Sequence, residues 1–101
     1  MSNTALGDPC YLVEWYRRDV TAGPLDETVA KLDASIEAMR AEGCSVRLLV
    51  ALTARADQVL YSVFAASSPE TVREACDRAG FPVERLTPGI EISHHMRAVS
   101  R

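Results

Sequence analysis

The chain has 101 residues, of which 48 % are apolar and 25 % charged, the ordinary make-up of one globular domain with a single modest core. Eleven basic residues against fourteen acidic ones leave a formal net charge of −3, without the basic stripe that displaces counterions from nucleic acid, so a nucleic-acid partner is not expected. No apolar run approaches the ~20 residues that span a bilayer, and the opening MSNTALGDPC has neither the basic nor the apolar region of a secretory signal, so a cytoplasmic protein with no membrane partner is expected.

Residues 1–9 are polar and carry Gly7 and Pro9, and are read as a flexible arm before one domain over 10–96 and a short tail over 97–101. YLVEWYR (11–17) is rich in aromatic and branched residues and predicts a strand. Gly23-Pro24 marks the break before a helix, in which Leu25, Val29, Leu32, Ile36 and Met39 fall on one stripe. Glu27 and Lys31 stand four apart on its wet side, and Gly43 ends it in the left-handed conformation that a side chain disfavours.

SVRLLVALTA (45–54) and QVLYSVFAA (58–66) predict two more strands, and with only Arg55, Ala56 and Asp57 between them they form an antiparallel hairpin. A second helix follows. Ser67 or Ser68 caps it, Pro69 suits its first turn, and Glu70 completes a capping box if Ser67 is the cap. Val72, Ala75, Cys76 and Ala79 make its inner face, and Gly80 with Pro82 closes it. GIEISHH (89–95) predicts the last strand. The order β-α-β-β-α-β, with right-handed crossovers, places both helices on one face of a four-stranded antiparallel sheet. The expected fold is therefore the α+β ferredoxin-like sandwich, or alpha-beta plait.

Such a sheet has one face uncovered. Tyr11, Val13 and Trp15 alternate with Leu12, Glu14 and Tyr16 on the first strand. The second strand alternates Val46, Leu48, Val50 and Leu52 with Arg47, Leu49, Ala51 and Thr53, and the third alternates Val59, Tyr61 and Val63 with Leu60, Ser62 and Phe64. A solvated face is polar at every second residue; here both faces are substantially apolar. Face-to-face pairing into a twofold homodimer is the preferred reading, the alternative being a monomer whose open face is covered by the N-terminal arm.

YLVEW and the longer stretch VLYSVFAASSPETVREACDRAGFPVERL resemble a family of small bacterial ferredoxin-like proteins of mostly unknown function, which includes a nickel-binding protein. The resemblance runs over about residues 10–95, and its specific part is the third strand and second helix. It implies the sandwich fold, and for nickel binders it implies ligands among histidines and carboxylates on the first strand and helices, near a dimer contact. Neither predicted helix here contains a histidine, so Glu14 alone carries over.

Both histidines, His94 and His95, stand in the predicted last strand. With Ile90 and Ile92 turned to the helices, Glu91, Ser93 and His95 look onto the open face, where the first strand is expected alongside. Glu14, Glu91 and His95 are then a candidate set for Ni²⁺ or Zn²⁺. The plainer reading makes Glu91 and His95 an exposed strand end and pairs Glu14 with an arginine such as Arg47. Trp15, Tyr16, Tyr61 and Phe64 are candidates to line a small-molecule pocket, or equally plain core. Dimeric ferredoxin-like barrels include cofactor-free oxygenases, which keeps an enzyme in view by analogy of fold alone. No nucleophile elbow is present. The odd, widely spaced Cys10, Cys44 and Cys76 form no C-x-x-C pair and are expected to be reduced thiols.

Overall fold

The structure, a computed structural model, describes residues 7–93. His94, His95, most of the N-terminal arm and the tail over 97–101 lie outside the described residues. Strand β1 (Cys10–Trp15) leads through a one-turn helix α1 (Arg18–Thr21) into the long helix α2 (Leu25–Ala41). Strands β2 (Val46–Ala54) and β3 (Val59–Ala66), helix α3 (Pro69–Arg78) and strand β4 (Arg85–Thr87) follow. The strands form one antiparallel sheet of order β2-β3-β1-β4, and the helices pack on it. Among the described residues no helix is long and apolar enough to cross a membrane.

The core explains why these segments take these forms. Trp15, Phe64, Leu32, Met39, Val13, Val46, Val72 and Cys76 are its largest fully buried side chains, drawn from the inward face of the sheet and the facing stripes of the helices. Trp15 buries its polar end as well. Its Nε1 donates to the carbonyls of Phe81 at 3.0 Å and Pro82 at 3.1 Å, tying the α3–β4 connection to the end of β1. Helix α1 was not legible from the polar run around it. It forms because Val20, only 4 % exposed, turns into the core, with Val20 N and Thr21 N both donating to the Arg17 carbonyl.

Helix α2 starts after Pro24, with Asp26 and Glu27 in its first turn and Arg40 in its last, each charge complementing the helix dipole. Its buried side is Thr28, Leu32, Ser35, Ile36 and Met39, so the stripe is rotated from the expected one and Leu25 and Val29 are only half-buried. The rotation brings Ser35 against α3, where its Oγ donates to the Ala75 carbonyl at 2.7 Å in a buried contact. Both helices end as expected. Gly43 at φ 96° and Gly80 at φ 87° occupy the left-handed position of paired motifs in which Cys44 N donates to Met39 O and Phe81 N to Cys76 O. Ser68 is the N-cap of α3 and accepts from Thr71 N. The capping box from Ser67 to Glu70 is accordingly not formed.

Two strand expectations need correction. The strand expected over 89–95 is not the fourth strand, which is Arg85–Thr87, with Leu12 opposite Thr87, Val13 opposite Leu86 and Glu14 opposite Arg85. Pro88 ends the ladder because it has no N–H to give it, and beyond it Ile90 N makes one bond to Cys10 O at 3.2 Å. The second correction concerns β2. Its register with β3 shifts between Leu48, opposite Phe64, and Val50, opposite Val63, leaving Leu49 as an extra bulged residue. A bulge inverts the side-chain alternation after it. Val46 and Leu48 therefore face inward while Val50 and Leu52 face outward.

Candidate functional site

Residues directly opposite in an antiparallel ladder share a face, so the register assigns the open face residue by residue. Leu12 lies opposite Val63 and Glu14 opposite Tyr61. Val50 lies on the other side of Val63, and Leu52 on the other side of Tyr61. The result is an apolar patch of Leu12, Val50, Leu52, Tyr61 and Val63 across three strands. Leu52 is 49 % exposed and Val50 41 %, high values for such side chains in a sheet. Arg47, opposite Ala65, is at one end of this face.

At the other end stands a polar group centred on Glu14. Its side chain is 15 % exposed, with Arg85 Nε at 3.8 Å from Oε2 and the Tyr16 hydroxyl donating to Oε1. The hydrogen bond to the Glu14 carboxylate, with burial adding to it, pushes the Tyr16 hydroxyl above its ordinary value, because the phenolate would lose that bond and face another negative charge. A second carboxylate, Glu84, accepts from the backbone N–H of Tyr16 at 3.1 Å and of Arg17 at 2.9 Å, fixing the turn out of β1. The arginine expected beside Glu14 is thus Arg85, not Arg47.

The candidate metal residues are placed differently from expectation. Glu14 is opposite Arg85, whereas Glu91 follows Ile90, whose N–H bonds to Cys10 at the start of β1. Cys10 and Glu14 are four residue steps apart on β1, about 13 Å along the strand, so the two carboxylates do not converge. The third member, His95, lies outside the described residues. Among the described residues no group of three His, Cys, Asp or Glu side chains could hold a metal ion.

The four aromatics are likewise divided. Trp15 and Phe64 are wholly buried on the helix side, and Tyr61 with Tyr16 belongs to the open face, so they line no common pocket. Cys76 is inert: burial pushes its thiol up to about 12, far from the thiolate that chemistry or metal binding needs. A cleft that the sequence did not suggest lies between α1 and the β2–β3 turn. It has a volume of about 130 Å³ and is lined by Arg18, Thr21, Ala22, Arg55 and Gln58. Its two arginines are distant in sequence, and nothing before the tertiary fold brings them together.

No family model, curated protein or solved structure matches this chain.

Proposed function

We propose that the protein is a ferredoxin-like homodimer assembled through the open face of its sheet, acting as an assembly module rather than through a metal or an aromatic pocket. The observation that carries this is the outward row of Val50 and Leu52 beside Leu12, Tyr61 and Val63. Apolar side chains at these positions lose their contact with water only when a second surface covers them. A second copy is the occupant of choice because twofold pairing covers the same apolar row on both subunits, and closed twofold dimers are the commonest oligomers. Strands of six, nine, eight and three residues, at ~3.3 Å per residue and ~4.8 Å spacing, give a face of roughly 400 Å² on each subunit. Two such faces give roughly 800 Å², the size of a weak, reversible interface. An apolar centre with Glu14, Tyr16, Arg85 and Arg47 at its margins also has the layout of a protein interface.

The ferredoxin-like assignment is supported by β1 and β3 lying side by side in the middle of the sheet, with β2 and β4 at its edges. The one-turn α1 and the three-residue β4 are departures from the simplest form of that fold. Three free cysteines fit a reducing, cytoplasmic setting. A Ni²⁺ or Zn²⁺ site on Glu14, Glu91 and His95 is not part of this reading, because Glu14 is engaged by Tyr16 and Arg85. The test is light scattering on the protein and on Leu52→Asp. Wild type is expected at twice the 11.0 kDa chain mass. The variant is expected at the single-chain mass with unchanged circular dichroism, since a carboxylate buried at an interface without a partner costs several kcal/mol. A dimer that persists in Leu52→Asp moves the contact off this face.

A further inference from the structure

We infer that the cleft between α1 and the β2–β3 turn is a binding site for a small oxyanion, the phosphate or carboxylate group of a soluble ligand. This inference is independent of the dimer and uses different residues.

Charge distribution comes first. The chain has more acidic than basic residues, yet the cleft is lined by Arg18, Thr21, Ala22, Arg55 and Gln58 and by no carboxylate. Arg17, Arg78 and Arg85 each have a carboxylate within ion-pair distance. Among the described residues Arg18 and Arg55 have none, as is true also of Arg40, Arg47 and Arg73; what sets Arg18 and Arg55 apart is that together they line one cleft that holds no carboxylate. Two guanidiniums sharing one cleft repel each other, and an anion between them turns that repulsion into attraction on both sides.

The donor set is suited to an oxyanion. Each guanidinium offers a planar fork matched to two oxygens of a phosphate or carboxylate. Thr21 adds a hydroxyl and Gln58 an amide, both able to donate to the remaining oxygens. The volume of about 130 Å³ far exceeds the ~10–15 Å³ that admits a single water, leaving room for one such group with water beside it. The walls are positioned by the fold. Val20 anchors α1 in the core, placing Arg18 and Thr21, and the hairpin turn is closed by Asp57 N to Ala54 O and Gln58 N to Arg55 O. Gln58 is held at φ 56°, the one described non-glycine residue with positive φ, so the turn that carries Arg55 and Gln58 has a defined shape.

The experiment is a titration of the whole chain with inorganic phosphate, and separately with acetate, at ionic strength held constant with KCl. The backbone amide resonances of Thr21, Arg55 and Gln58 are followed. Phosphate is expected to give saturable shifts at these residues, with a millimolar dissociation constant. Arg18→Gln and Arg55→Gln should each weaken it at least fivefold, while Arg73→Gln, on the exposed side of α3, should leave it unchanged. Comparable binding of acetate identifies a carboxylate ligand, and much weaker binding identifies a phosphate. Shifts that fail to saturate with either anion, or that persist unchanged in Arg18→Gln and Arg55→Gln, overturn the inference.

Discussion

Replacing Gly80 by alanine tests the way the fold ends its helices, and its magnitude follows from the geometry. Gly80 stands at φ 87°, where an L side chain is disfavoured, and its N–H donates to Asp77 O at 3.0 Å. A Cβ there meets no atom within 4 Å, so the substitution adds no clash and its whole cost is conformational. That cost is about 1 kcal/mol, and the reduced freedom of the unfolded alanine chain cannot offset it, because the native conformation is incompatible with alanine. For a domain of this size 1 kcal/mol corresponds to a fall in Tm of about 4–8 °C. Gly23 is the internal control. It is not among the positive-φ residues, and its nearest Cβ contact is the Val20 carbonyl at 3.9 Å, an ordinary separation. Gly23→Ala should therefore be neutral or slightly stabilising. Both variants are melted at the same protomer concentration, since association makes Tm depend on it. An unchanged or raised Tm for Gly80→Ala would refute the reasoning, and so would an equal fall in both.

Trp15→Phe should destabilise by about 3 kcal/mol, since it leaves a cavity and deprives the buried Phe81 carbonyl and the part-buried Pro82 carbonyl of a donor; urea denaturation followed by circular dichroism measures it, and a loss under 1 kcal/mol would mean the indole hydrogen bonds are dispensable. Cys76 titrates near 9.0 when unfolded and is pushed up to about 12 by burial in the folded protein. The raised folded value means its contribution is fully present below about pH 9 and is lost as pH rises toward 12, because only the unfolded chain releases the proton in that window. Unfolding free energy should fall across that range in wild type and fall less in Cys76→Ala, and identical slopes would contradict the assignment.

The sequence was most informative where one local signal had one structural solution. Periodic apolar residues from Leu25 to Met39, the Ser-Pro start of α3 and the glycines at 43 and 80 each specify an element or its end, and the structure has those elements. It was least informative where two solutions share one pattern. In RLLVAL the apolar residues run without interruption, so alternation reads equally well with or without a bulge. Only pairing with β3 shows that Leu49 is extra and that Val50 and Leu52 face out. The sequence points to 89–95 rather than Arg85–Thr87 as the fourth strand because Ile90 and Ile92 alternate more cleanly than Arg85, Leu86 and Thr87. What decides between them is the ladder to β1, in which Leu86 packs against the core, and a three-residue segment has too few residues for its periodicity to show. The same displacement separated Glu14 from Glu91. Arg18 and Arg55 come to line one cleft only through the anchoring of Val20 and the hairpin turn, which no spacing in the chain encodes.

The central claim is that two copies meet through the open sheet face, and intermolecular contacts between isotopically labelled and unlabelled subunits test it most directly. A mixed sample of ¹³C-labelled and unlabelled chain, examined by isotope-filtered NOE spectroscopy, is predicted to show contacts across the interface from the methyl groups of Leu12, Val50, Leu52 and Val63. Contacts arising instead from α2, α3 or the free edge of β2, or no intermolecular contacts at millimolar concentration, would contradict it.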